Sequence, residues 1–100
     1  MSDQRPQAVA NVQIDNERVI VTEWTFAPGA ETGWHTHEHD YLIVPITTGK
    51  LMIESDEDVH WSSLTSGASY ERREGTRHNV VNDNDFEFVF IEIEMRYTST

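Results

Sequence analysis

The stretch WHTHEHDY, residues 34–41, carries histidine at three alternate positions, His35, His37 and His39, and closes on Tyr41. On an extended chain each residue advances about 3.3 Å and side chains alternate, so His35 and His37 point the same way about 7 Å apart. Imidazoles leaning from such positions reach one metal ion with bonds of about 2.0–2.2 Å. His-X-His on a strand is therefore a two-tooth chelate for a transition metal. So short a pattern also recurs by chance, and a histidine-rich surface turn is the competing reading. Tyr41 shares the parity of the three histidines and faces inward with them if the strand stays regular. Its phenol could bind metal, hydrogen-bond to a metal-bound water, exchange a proton with substrate, or simply fill space.

Such residues need strands to position them, and short β-rich runs separated by Gly, Asn, Asp and Ser recur along the chain. ERVIVTEWTFA, residues 17–27, reads as a strand ended by Pro28-Gly29, and the chain is again extended from Trp34 to Ile46. Gly49-Lys50 turns into LMIES, the acidic DED at 56–58 forms a solvated hairpin tip, and VHWSSL returns from it. Gly67 to Tyr70 and Gly75 to Val81 give two shorter pieces, and NDND at 82–85 is a strong turn signal. In the last strand, FEFVFIEIEMRY, Phe86, Phe88 and Phe90 line one face while Val89, Ile91, Ile93 and Met95 line the other. Its start is expected to be buried on both sides, with Glu92, Glu94 and Arg96 letting the later half meet solvent. No helical period is long enough to cover a sheet, so the expected class is all-β, a barrel or sandwich that supplies its own core. Residues 17–97 form the expected barrel, and residues 1–16 an N-terminal arm or an edge strand shared with a neighbouring copy.

Composition narrows the function. One hundred residues, 37% hydrophobic and 10% aromatic, make one folded domain. Eighteen acidic residues against seven basic ones give a formal net charge of −11, which repels phosphate backbones and anionic lipid. Nucleic acid and membrane are thus not expected partners. The chain has no cysteine, so disulfides, thiolate metal sites and cysteine nucleophiles are excluded. MSDQRPQAVANVQID lacks the unbroken apolar core of a signal peptide, and no apolar run approaches the ~20 residues of a membrane span. The cytoplasm is the expected compartment.

Two longer patterns frame the histidines. The first runs Gly29, five residues, His35, one residue, His37; the second runs Gly67, seven residues, Gly75, two residues, His78, three residues, Asn82. Together they resemble the two motifs of the cupin superfamily, which place Gly, His, His and Glu in the first and Gly, Pro, Gly, His and Asn in the second. The match spans positions 29–82, with glycines and histidines in register. WHTHEHDYLIVPITTGKL and YERREGTRHNVVNDNDFEFVFIEIE look most like a group of small single-domain cupins named for beta-alanine degradation. The resemblance implies a small double-stranded β-helix, or jelly-roll, barrel. It also implies that His35, His37 and His78 ligate a divalent transition metal, Fe, Mn, Ni, Co, Cu or Zn, with positions left open for water or substrate. Asn82 would close a turn after the last ligand strand, and Gly29, Gly67 and Gly75 would sit at reversals. Pairing with a second copy, a homodimer, is the family's usual way of covering its edges.

The chain departs from the pattern at Tyr41, in the spacing from Tyr41 to Gly49, which is one residue too long, and at Arg73. The family's fourth ligand is a glutamate six positions after the first histidine, a slot that holds Tyr41 here, followed by Leu42; in the second motif Arg73 replaces proline. His39 is a further candidate ligand unless a bulge turns it to solvent, and His60 reads as an ordinary surface histidine. Trp24, Phe26 and Trp34 could line a substrate pocket, although inward aromatics in a small barrel are most often core. Of Arg72, Arg73 and Arg77, at least two are expected to pair with surplus surface carboxylates, while an arginine near an open metal site is what recognition of a substrate carboxylate requires.

The expected function is that of a metal-dependent enzyme of dioxygenase, lyase or isomerase type acting on a small carboxylate or β-dicarbonyl metabolite, with Tyr41 as the catalytic phenol. The three-histidine set is similar to that of cupin dioxygenases that cleave β-dicarbonyl compounds, and beta-alanine breakdown passes through a 3-oxo acid. The alternative is a non-catalytic cupin that binds metal or a small molecule as a sensor or accessory protein, because one scaffold carries many functions.

Overall fold

A computed structural model describes residues 4–96. Residues 1–3 of the expected arm and Tyr97, the expected end of the barrel, lie outside them. The described chain forms nine strands: β1 Val9–Asp15, β2 Val19–Phe26, β3 His35–Thr36, β4 Asp40–Pro45, β5 Gly49–Ser55, β6 Val59–Leu64, β7 Tyr70–Arg72, β8 Arg77–Asn82 and β9 Phe88–Met95. Two antiparallel sheets result, one in the order β1-β2-β9-β4-β7 and the other β3-β8-β5-β6. No described helix is long and apolar enough to cross a membrane. This is the all-β class that the strand pattern predicts and the jelly roll that the resemblance implies.

Alternation builds the core. Phe26 from β2, Ile43 from β4, Leu51 from β5, Val80 from β8, and Phe88 and Phe90 from β9 all turn inward and are buried. Removing a phenylalanine side chain fully from water stabilises by about 2–3 kcal/mol, so Phe26 and Phe88, both at 0% exposure, are principal supports. Asn82 is equally buried. Its Nδ2 donates to the carbonyls of Phe26 and Ala27, both at 3.2 Å, and of Phe86 at 2.8 Å, while its Oδ1 accepts from Asn84 N at 3.0 Å. The residue thus closes the NDND turn, as expected.

Three expectations need correction. The extended run from Trp34 to Ile46 is broken, because β3 pairs with β8 in one sheet and β4 with β9 and β7 in the other. Residues 37–39 carry the chain between sheets, so side-chain parity cannot be counted across them. The last strand starts at Phe88, leaving Phe86 43% exposed beyond the Asn82 turn. Finally, Glu92 does not meet solvent. It continues the inward parity of Phe88 and Phe90 and is 8% exposed. Edge strand β1 pairs with β2 along its length, while all seven of its residues are exposed.

Candidate metal centre

His35 and His78 are direct cross-strand partners on β3 and β8. His37 lies just beyond β3 and is pinned there by the second motif: its N–H donates to Thr76 O at 2.9 Å, and Gly75 N–H donates to its carbonyl at 2.8 Å. That reversal needs Gly75 at φ 90°, a left-handed conformation open to glycine without a Cβ penalty. The three imidazoles converge through Nε2, with His35 to His37 at 3.0 Å and His37 to His78 at 3.1 Å. Bonds of about 2.1 Å meeting at right angles separate their donors by about 3.0 Å, so the spacing and donor type fit one divalent transition-metal ion.

Neighbouring groups prepare the rings. His35 Nδ1 lies 2.8 Å from the Gly33 carbonyl, which can only accept, so Nδ1 carries the proton and Nε2 keeps its lone pair for a metal. Gly33 adopts φ 91° and donates its N–H to Oδ1 of buried Asn79 at 2.9 Å. Asn79 Nδ2 is itself held by Glu31 and Glu54, both at 2.8 Å. Burial first, and the neighbouring His35 and His78 next, push His37 down to about 3. His78 is lowered to about 4, chiefly by burial and then by His35, His60 and Arg72. Both are therefore neutral, ligand-competent imidazoles near pH 7.

Tyr41 stacks its ring on His37, centroids 3.8 Å apart and planes 17° apart. It is 2% exposed. Its hydroxyl has no hydrogen-bond partner among the described residues, the nearby Thr76 hydroxyl falling outside bonding geometry and donating to Arg73 O at 2.9 Å. Burial, followed by Glu92 and Tyr70, raises its pKa, so it is a phenol and not a phenolate.

Sequence reasoning missed Glu92. Its Oε2 lies 4.0 Å from His37 Nδ1, the ring edge that faces away from the other two histidines, and its Oε1 lies 3.4 Å from Trp24 Nε1. Burial and then Glu94 raise its carboxyl to about 7. The signal was present in the alternation Phe88, Phe90, Glu92, but its charge argued for solvent. His39 is not in the histidine group; it borders a more open cleft beside Glu38 and Glu94. His60 is exposed and pairs with Asp58 at 3.3 Å. Phe26 is core, Trp24 lines the interior cavity, and Trp34 is 47% exposed beneath the Arg77 guanidinium.

That cavity, about 170 Å³, runs from the histidines into the barrel between Tyr41, Tyr70, Ile53 and Phe90. Fold and site together define a small jelly-roll barrel with three imidazoles converging beside an interior chamber. The chain belongs to the cupin family: the model described as Cupin domain matches residues 22–94. A Pseudomonas aeruginosa PAO1 protein named "Beta-alanine degradation protein BauB" is 53% identical over 92 residues, covering 92% of this chain and 97% of its own. The crystal structure of a cupin domain from Bordetella pertussis Tohama I superposes with a TM-score of 0.94 at 57% identity, covering 96% of this chain and 100% of that one. A double-stranded β-helix protein from Klebsiella pneumoniae, 19% identical over 99% of this chain and 85% of its own, shares the fold with a TM-score of 0.75.

Proposed function

We propose that this cupin is a metal-dependent enzyme, of dioxygenase, lyase or isomerase type, acting on a small carboxylate or β-dicarbonyl metabolite. The observation that carries the reading is the convergence of three Nε2 atoms at 3.0 and 3.1 Å beside an internal cavity. The name of the Pseudomonas relative, with its reference to β-alanine degradation, supports a short carboxylic acid as the substrate class.

His35, His37 and His78 hold the ion as neutral ligands. When bound, the ion supplies a Lewis-acid centre with positions open to substrate. Tyr41 keeps its proton and offers an O–H to a substrate atom in the cavity. Trp24, Ile43 and Phe90 exclude water from the walls, which strengthens each polar contact made inside. Metal analysis of the purified protein, together with melting temperatures in Fe(II), Mn(II), Ni(II), Co(II), Cu(II) and Zn(II), tests the reading. A bound ion or a rise in melting temperature that His78→Ala abolishes is expected; absence of both rejects it. Silence of the loaded protein across oxygen-electrode and product screens with β-dicarbonyl and 3-oxo acids would favour the sensor.

The proposal includes a homodimer in which the N-terminal segment, described from residue 4, serves as an arm or as an edge strand shared with the second copy. Edge strand β1 supports it, since Val9, Val12 and Ile14 are 63%, 54% and 46% exposed on a strand with one unpaired side.

A further inference from the structure

Arginine is scarce in this acidic chain, and most described guanidiniums near the barrel are engaged. Arg5 bridges Glu31 and Glu54, each at 3.0 Å. Arg73 meets Asp40 at 3.7 Å and Glu71 at 3.9 Å, and Arg77 is held by Asp56. Arg72 differs: among the described residues no carboxylate forms an ion pair with it. One Nη1 donates to the Glu71 carbonyl at 2.8 Å, and the guanidinium lies 4.5 Å above the Tyr70 ring. A guanidinium has five N–H donors in a rigid fork, so most of this one is uncommitted.

Strand register puts Arg72, itself an exposed residue, on the cavity side of the sheet. On β4 and β7, Tyr41 faces Arg72 and Ile43 faces Tyr70. Directly opposed residues share a side of the sheet, with Cβ atoms about 4.5–5.5 Å apart. Tyr41 points inward onto His37, so Arg72 reaches inward as well, from an exposed edge strand, and borders the same cavity as His37 and His78. The Tyr70 ring backs the cation and limits where it can swing. Glu92, the carboxylate inside the cavity, is engaged instead by Trp24.

We propose that Arg72 is the carboxylate anchor of this cavity, and that the substrate is a short-chain acid with a second oxygen donor. The carboxylate takes the guanidinium fork, and the oxo or hydroxyl oxygen lies at the histidines. This rests on the metal-centre reading and narrows it, because an uncharged dicarbonyl would leave the fork unused. A cavity of about 170 Å³ has room for about six water-sized groups at about 30 Å³ each, which suits an acid of a few carbons. Arginine matches a carboxylate bidentately where lysine offers only a point charge.

The test titrates two probes, malonate and uncharged acetylacetone, into Co(II)-loaded wild type, Arg72→Met and Arg72→Lys by calorimetry. Loss of charge-assisted hydrogen bonds should weaken malonate by about 10–100-fold in Arg72→Met. Acetylacetone and Co(II) affinities should stay within about twofold, and Arg72→Lys should recover only part of the loss. Unchanged malonate affinity in Arg72→Met overturns the anchor, as does an equal fall for acetylacetone or no malonate binding to wild type. Co(II) titration of wild type reports on the metal centre alone. If Co(II) does not bind, the metal reading fails, and malonate titration of the metal-free proteins still decides Arg72: sensitivity to Arg72→Met upholds the anchor and insensitivity rejects it.

Discussion

Tyr41→Phe removes one oxygen atom from the middle of the barrel, and its effect can be worked out from the surroundings. The side chain is 2% exposed, and the hydroxyl has no protein hydrogen-bond partner among the described residues. A buried hydroxyl left without a partner costs about 1–3 kcal/mol. Phenylalanine keeps the ring and its stacking on His37, and leaves a void of about 10–15 Å³, which costs about 0.3 kcal/mol at about 24 cal/mol per Å³. The net expectation is a gain of about 1 kcal/mol in the metal-free protein, equivalent to about 5 °C in melting temperature for a domain of this size. Calorimetric melting of wild type and variant at pH 7 measures it. Loss of stability by a similar amount would refute the reasoning, since the hydroxyl would then be making a structural bond. Turnover supplies the second half. A variant that is more stable and slower has traded function for stability, whereas a more stable variant with full activity removes Tyr41 from the chemistry.

Glu92→Gln should lower metal affinity by about 10–100-fold, measured by competition with a chromophoric chelator, because Glu92 faces the Nδ1 edge of a ligand ring; unchanged affinity would show that it does not orient His37. In the metal-free wild type, His37 and His78, lowered to about 3 and about 4, contribute stability that is fully present above the usual 6.5 and lost as pH falls toward those values, because only the unfolded chain then takes up protons. Glu92, raised to about 7, acts in the opposite sense: its contribution is present below the ordinary carboxyl range and lost as pH rises through 7. Urea midpoints should therefore show Glu92→Gln gaining on wild type between pH 5 and pH 8, and a constant difference would reject the assigned burial effect. Val12→Asp should shift the sedimentation coefficient toward monomer with little change in monomer stability, since Val12 is 54% exposed; an unaltered dimer places the interface elsewhere.

What the sequence could and could not reveal follows from the range of each interaction. The all-β class was legible because strand alternation and turn residues are local signals, as Phe88 and Phe90 on β9 and the NDND turn demonstrate, while the jelly roll itself was legible only through the resemblance to the cupin motifs. The His35, His37 and His78 convergence was legible only through motif spacing, since no local rule brings residue 78 beside residue 35. His39, a further candidate only, stays outside the histidine group because the segment carrying it changes sheets. Glu92 failed because charge was weighted above alternation. Its position bears on the departure at Tyr41. The first motif lacks its carboxylate, and the stacked phenol of Tyr41 leaves that slot without one. Yet β9, the strand that pairs with β4, brings a buried carboxylate to the Nδ1 edge of His37. From that edge it cannot join the three Nε2 atoms around an ion; it stands behind the His37 ring, 4.0 Å from Nδ1. Losing the usual glutamate therefore leaves a carboxyl beside His37 whose charge burial holds back. Were an ion held by the three histidines, this carboxyl would stand behind a ligand ring and outside the ion's own coordination, and the positions an acid ligand would have filled would stay open to substrate.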